Sequence, residues 1–400
     1  MSRYRLQPSP AQEAAMLEHC GHARFVWNLA VEQHSYWKPG RKSAPGFAEQ
    51  CRQLTEARGE FDWLRAGSQV VQAQALKDFA QAMANFFGKT HRKPTYRKRG
   101  QSEGFRMVGK RGKHWDVRRV SHSVGEVQVP KIGWVRFRWS RAVPEGAKSY
   151  RITRDPAGRW FVAFAAIPEP IPAPGTGEVV GVDRGVTVSA AVSTGEMLNA
   201  PTLRDTEKAR LLRLLRKLAR AKRGSNRRGE TRLAIAKLKA RETDRRKDWV
   251  EKTSTDLARR FDVIAVEDLK VKNMTRSAKG TVEAPGKNVR QKAGLNRSIL
   301  ANGWGQLVTR LEQKAPGRVV KVNPAYTSQT CNTCKHVARE SRESQALFLC
   351  VACGHQVNAD VNAARNIRDI AAGLAVTARG GLPLGESLNR EPQLELLLVG

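Results

Sequence analysis

The chain has 400 residues, and 71 Lys and Arg against 37 Asp and Glu give a formal net charge of +34. The length allows two or three domains with a buried core, and 40% apolar residues with nine Trp and twelve Phe exclude a disordered polyelectrolyte. The longest wholly apolar run, 160–167, is far short of the roughly 20 residues that cross a bilayer, and the first sixteen residues hold no signal-peptide block. A membrane protein, a secreted module and an acidic-surface enzyme are thereby excluded. A cytosolic protein whose field demands a polyanion, nucleic acid above all, is expected.

In chain order, residues 10–87 read as helical. Ser9 or Pro10 opens a helix with Ala14, Leu17, Phe25, Val26 and Leu29 at helical spacing, and a second helix covers 68–87. From 105 to 167 the period falls to 2, and Asp155-Pro156-Ala157-Gly158 marks a hairpin turn, so a small barrel or sandwich is predicted. The Pro-rich stretch 168–177 is a linker. Beyond it the pattern predicts strands at 179–182, 186–192 and 196–199, helices at 204–223 and 230–260, and a strand at 263–266. An irregular loop at 271–296, a helix at 304–314, a strand at 318–322 and a closing helix after 360 follow. The end, from 376 to 400, lacks periodicity and is expected to be a mobile tail.

The positive charge is clustered. Residues 88–119 hold 12 basic and 2 acidic residues, 201–250 hold 18 and 6, and 270–297 hold 8 and 1. One such run can be a solvated face; three on separate segments suggest an extended groove for phosphates. Lys89, Arg92, Lys93, Arg97, Lys98 and Arg99 are the candidate nucleic-acid contacts.

Cys331-x2-Cys334 and Cys350-x2-Cys353 are separated by 15 residues. Each pair offers two thiolates from a tight knuckle, and four thiolates complete a tetrahedral zinc site, which is closed and therefore structural. His336 and His355 are bystanders, and Cys20 and Cys51 are core residues.

Three carboxylates stand at the ends of predicted elements. Asp183 follows the apolar run 179–182, Glu267 follows 263–266, and Asp360 precedes a helical stretch. Singly, Asp183 reads as a turn residue, Glu267 as a surface charge or helix start, and Asp360 as an N-cap. Together they are what a nuclease requires: phosphodiester cleavage by two magnesium ions, one activating the attacking water and one stabilising the leaving oxygen, needs several converging carboxylates.

These motifs resemble the TnpB family, transposon-encoded OrfB-type proteins related to the type V CRISPR effectors. The resemblance rests on Gly181-Val-Asp-Arg-Gly185, Ile264-Ala-Val-Glu-Asp-Leu269, Thr327-Ser-Gln-Thr-Cys-Asn-Thr-Cys334 and Cys350-Val-Ala-Cys-Gly-His355, continuing to Ala359-Asp-Val-Asn-Ala-Ala364. His22 to Asn28, Asn85-Phe86-Phe87 and Pro130 to Trp134 extend it over roughly residues 3–375. It implies an α+β multidomain protein: an RNase H-like RuvC nuclease domain (178–326 and 359–375) with a zinc-binding insertion (327–358), a β-barrel wedge domain (1–9 and 101–172) and a helical recognition lobe (10–100). It further implies that Asp183, Glu267 and Asp360 form a catalytic triad binding two magnesium ions, and that Cys331, Cys334, Cys350 and Cys353 hold one zinc. The expected activity is RNA-guided cleavage of target DNA beside a short duplex motif, by a monomeric ribonucleoprotein of the bacterial cytosol or nucleoid. The alternatives are a CRISPR effector proper and a nuclease-inactive guided repressor; the three acids favour a nuclease. Two positions depart from the family pattern: Lys335 stands where Gly is usual, and Ala301 where many relatives carry Asp.

Overall fold

The computed structural model describes residues 2–37, 40 and 43–379, and the chain divides into two compact units, Met1–Glu169 with Leu203–Asp244, and Pro170–Thr202 with Arg245–Gly400. The first unit opens with strand β1 (Ser2–Arg5) and helix α1 (Pro10–Ser35). Ser9 caps α1 reciprocally with Gln12, and Pro10 sits in the first turn, where its missing N–H costs nothing. Helices α2 (Phe47–Glu60), α3 (Asp62–Ala66) and α4 (Gln69–Phe87) follow. The sequence pattern places no separate element at α2 or α3: the stripe of α2, Phe47, Cys51, Leu54 and Ala57, is short and lies among charged and polar residues, and only Leu54 of it is fully buried.

Strands β2 (Gly104–Val108), β3 (Val117–Arg119), β4 (Val124–Val129), β5 (Gly133–Arg138), β6 (Ser149–Arg154) and β7 (Trp160–Phe164) complete that core. They form two antiparallel sheets, ordered β1-β7-β6-β2 and β3-β4-β5, with a bridge from Leu6 to Phe137. Tyr4, Trp115, Phe137, Tyr150 and Phe164 fill the interior with edge-to-face and stacked rings. One guanidinium nitrogen of Arg24 on α1 donates to both carboxylate oxygens of Glu103, at 2.8 and 2.9 Å, ahead of β2.

The second unit is a mixed five-stranded sheet, β10-β9-β8-β11-β12. Its strands are β8 (Val179–Asp183), β9 (Ala190–Val192), β10 (Met197–Leu198), β11 (Val263–Glu267) and β12 (Val319–Val322). β8, β11 and β12 run parallel, while β9 is antiparallel to β8. Helices α5 (Asp205–Arg220) and α6 (Asn226–Arg260) lie between β10 and β11 in the chain. Then come α7 (Val271–Met274), α8 (Val289–Asn302) and α9 (Trp304–Lys314), the short hairpin β13 (Leu347–Leu349) with β14 (Gln356–Asn358), and α10 (Ala359–Arg379). The segment expected to be one irregular loop, 271–296, thus contains α7 and the start of α8. Helix α10 runs past the expected start of the tail, and 380–400 lie outside the described residues. Among the described residues no helix is long and apolar enough to cross a membrane.

Candidate active site and metal centre

β8 and β11 are adjacent parallel strands in register, with Val182 opposite Val266. Asp183 and Glu267, each the last residue of its strand, therefore leave the sheet side by side. The third acid arrives on α10, which lies on β8 at backbone contact. A Cβ at Gly181 would sit 1.9 Å from the Ala364 carbonyl oxygen, so only glycine permits this approach, and Ala363 and Ala364 present a small, fully buried face. Asn358 is the cap of α10: its side-chain oxygen accepts from the Asp360 and Val361 amides at 2.9 and 3.3 Å. Capping thus does not employ Asp360, whose carboxylate faces Arg342 at 3.3 Å instead.

Burial raises the Asp183 pKa to about 7, and the charges of Glu267 and Asp360 push in the same direction. Burial also raises Glu267, opposed by the Thr327 hydroxyl, which donates to its carboxylate at 2.6 Å, and by Arg184 and Arg342. Asp360 is raised by burial and opposed by Arg342. Arg184, itself buried, donates to the Glu267 backbone carbonyl. Oxygen donors that are desolvated and mutually repelling are what a hard divalent cation relieves, so this donor set fits magnesium.

A pH dependence follows. With a folded pKa of about 7 against an ordinary 3.8, folded Asp183 keeps a proton that the unfolded chain has released. Its contribution to stability therefore falls as pH rises between these values and is flat above about 7. In magnesium-free buffer, the melting temperature of Asp183→Asn minus that of the parent is expected to widen from pH 5 to pH 8. A constant difference would mean that Asp183 ionises normally.

The loop after Asp183 is braced from the α8–α9 junction. The Trp304 indole donates to the Gly185 carbonyl at 3.1 Å; the Asn302 amide donates to that of Val186 at 2.9 Å and accepts from Ser189 at 2.6 Å. This bracing explains why β9 is shorter than the alternation across 186–192 predicts. At Ala301 the side chain is not used, and only its carbonyl accepts, from Arg246 at 3.2 Å.

The four cysteines converge, their sulfurs all within 4.8 Å of one another. Zinc–sulfur bonds of about 2.3 Å imply tetrahedral edges of about 3.8 Å. Cys331 to Cys353 is 3.8 Å and Cys334 to Cys350 is 3.6 Å, so the cluster fits zinc. The two knuckles match bond for bond. Cys331 and Cys350 donate their amides to His336 and His355 carbonyls at 2.8 and 2.9 Å, and accept from Lys335 and Gly354 amides at 3.0 and 2.9 Å. Both Lys335 and Gly354 have left-handed backbones, φ 63° and 71°. Lys335 therefore bears a strain of roughly 1–2 kcal/mol that glycine escapes, while its ammonium reaches Asp369 at 2.7 Å.

Helix α10 ties this cluster to the acids. The Asn366 amide donates to the Thr327 and Thr330 carbonyls at 2.9 and 2.7 Å, and Asn362 donates to Thr330 while accepting from the Asn332 amide. One helix thus positions Asp360, the first knuckle and, through Thr327, Glu267.

Known proteins carry the same arrangement of sequence. A family model described as "Probable transposase" (OrfB, IS605 type) matches residues 163–278, a Cas12f1-like TNB domain matches 304–367, and a helix-turn-helix domain of the OrfB type matches 2–42. The chain is 36% identical to InsQ of Escherichia coli K12, a candidate RNA-guided DNA endonuclease, over 98% of this chain and 96% of that protein. The chain belongs to the TnpB family. A second TnpB-family relative, a candidate RNA-guided DNA endonuclease of Streptomyces pristinaespiralis, is 33% identical over 94% of this chain and 90% of its own length. In fold, the chain is similar to Cas12f1 in a complex with guide RNA and target DNA, with a TM-score of 0.55 at 14% identity, covering 90% and 82% of the two chains. That likeness concerns the mixed α+β fold alone. The described residues within 2–42 form β1 and one long helix, α1, rather than two helices about a turn.

Beside the motifs that mark the TnpB family, the site includes residues that sequence reading missed. Thr327 opens a quoted motif but was not assigned a role. Arg184 lies inside another motif and reads as a turn residue. Arg342 gives no signal, since it sits in the charged stretch Arg339-Glu-Ser-Arg-Glu343.

Of the candidate nucleic-acid contacts, Lys89, Arg92, Lys93, Lys98 and Arg99 are exposed on the strap between α4 and β2. Arg97 differs. Its backbone is latched to the Asn28 side chain in both directions, at 2.7 and 3.0 Å, and its guanidinium lies 3.6 Å from the Trp27 ring centroid. Burial lowers its pKa to about 10, which leaves it charged at neutral pH.

Proposed function

We propose that this TnpB-family chain is an RNA-guided endonuclease that hydrolyses phosphodiester bonds of target DNA beside a short duplex motif. The observation that carries the reading is the convergence of Asp183, Glu267 and Asp360 from β8, β11 and α10. Held by these carboxylates, two magnesium ions would supply water activation and stabilisation of the leaving oxygen. The chain's own part is to keep the acids ionisable and fixed. Thr327 orients Glu267, Arg342 compensates Asp360, and Arg184 secures the end of β11. Residues 178–326 and 359–375 are read as the RuvC-like domain, 327–358 as its zinc-binding insertion, 1–9 and 101–172 as the wedge barrel, and 10–100 as the recognition lobe. A guided repressor has no need of the three acids, which favours a nuclease; a CRISPR effector would use the same chemistry.

Sequencing the RNA that co-purifies with the protein, then offering duplex DNA matched to it, tests the reading. Cleavage is expected only with RNA bound and only on matched DNA, since base pairing carries the specificity. Efficient cutting of duplex by RNA-free protein would overturn it.

The strap is expected to bind phosphates irrespective of sequence. Replacing Lys98 and Arg99 together by Ala should reduce the slope of log affinity against log salt by roughly 1.4–1.8 and weaken all guide sequences alike. An effect confined to one target base would contradict this.

A further inference from the structure

At the C-terminal end of α1 the first unit contains a cleft of about 210 Å³ that the function above does not use. Val31 of α1 with Phe79 and Met83 of α4 form its apolar walls, and His34 stands edge-on to Phe79 at 5.0 Å between ring centroids. Burial lowers the His34 pKa, which favours the neutral imidazole. The rim is of opposite character. Lys93, Pro94 and Tyr96 come from the basic strap, and Lys93 and Tyr96 are exposed.

The cleft is preformed. The Trp27 indole donates to the Thr95 carbonyl at 2.9 Å, and Asn28 clasps the Arg97 backbone from both sides. These bonds hold 95–97 against α1 at a fixed standoff, which keeps the walls from closing over the space. A largely apolar slot with aromatic edges and one cation, Lys93, at its rim matches a flat, neutral ring carrying an anionic tail. Nucleobases bind unpaired in such sites, by contact with aromatic faces while cations take the phosphate. Duplex nucleic acid cannot enter, because its bases are stacked and paired.

We propose that this cleft seats one unpaired nucleotide, its base among Val31, Phe79 and Tyr96 and its phosphate at Lys93. The inference rests on the reading of the strap as a nucleic-acid surface and adds a discrete base site to it. The nucleotide can come from the RNA or from an unpaired DNA strand, and the two sources share this chemistry.

The test uses the full chain freed of co-purifying RNA and 12-nucleotide oligouridylate or oligothymidylate probes carrying one central 2-aminopurine. Anisotropy reads affinity, and acrylamide quenching reads whether the base is sheltered. The parent is expected to shelter the base. Ser35→Trp, which places a ring at the mouth from an exposed position, and Tyr96→Ala should each remove the shelter and weaken binding about tenfold. Neither touches the core, so the parental melting temperature should persist. Lys98→Ala with Arg99→Ala should weaken binding while the bound base stays sheltered. Shelter in the RNA probe alone assigns the seat to the guide, and shelter in the DNA probe alone assigns it to an unpaired DNA strand; either supports the proposal. An unsheltered base in the bound parent, or full shelter in both cleft variants, overturns the base site and leaves the strap reading intact. Failure of the parent to bind any probe overturns both.

Discussion

Asp183→Ala, Glu267→Ala and Asp360→Ala are each expected to lower DNA cleavage by at least about 10³-fold, with guided target binding unchanged. Carboxylates that share a charge-dense site act as a unit, so removing one removes most of the rate rather than a third of it. The three acids belong to the second unit and the basic strap proposed to take the phosphates to the first, so the substitutions leave every residue of the strap in place, which is why binding should survive. A measurement of stability separates a functional loss from a folding defect. Asp183 is pushed up by burial and by its two acidic neighbours, so Asp183→Asn should melt higher than the parent in magnesium-free buffer at pH 8. Catalytic sites commonly trade stability for function in this way. Glu267→Ala should show a smaller gain, because it removes the short bond from the Thr327 hydroxyl and leaves that hydroxyl only the Pro324 carbonyl, at 3.1 Å. Retained cutting by any one of the three variants would remove that residue from the site.

How far these acids were legible in the sequence depends on what each one follows. Asp183 and Glu267 each close a four-residue apolar run, and such runs read as buried strands. The register that sets them side by side is not written locally, because it depends on β8 and β11 pairing across about eighty intervening residues. Gly181 carried the decisive hint, since its reason is the approach of α10, far along the chain. The alternation Val186, Val188, Ala190, Val192 predicted a strand from 186 that the fold does not make. Trp304 and Asn302 engage the backbone of Gly185 and Val186 first, and tertiary bonds override period. Arg342 was invisible for a different reason: a charged stretch looks like solvent-facing surface until the fold turns one of its members onto Asp360.

Replacing one zinc thiolate, by Cys334→Ser or Cys350→Ser, is expected to abolish cleavage as completely as loss of an acid, by another route. The parent should carry one zinc per chain by elemental analysis, and each variant should carry much less. The reason lies in how small the segment's own apolar core is, its other ties being polar bonds to α10 and Glu267. Its own buried core is Cys331, Phe348, Cys350 and Ala359, with Val357 packed against them, and β13 and β14 pair over only three residues each. A two-stranded hairpin with one buried ring is marginal in water, whereas structural zinc contributes about 10–16 kcal/mol in comparable finger peptides. A zinc bound by the four cysteines would therefore set the fold of 327–358. Thr327 at its start fixes Glu267, Arg342 within it faces Asp360, and Asp360 itself follows Cys353 by only a few residues. Unfolding the segment thus loosens two of the three acids at once. Two companion variants separate this route from direct chemistry. Arg342→Ala should keep the zinc and the segment's protection from proteolysis yet cut more slowly, and Cys51→Ser, outside the cluster, should change neither. A zinc-free preparation that cuts at the parental rate would show that the segment holds its shape without the metal, and the coupling from thiolates to carboxylates would fall.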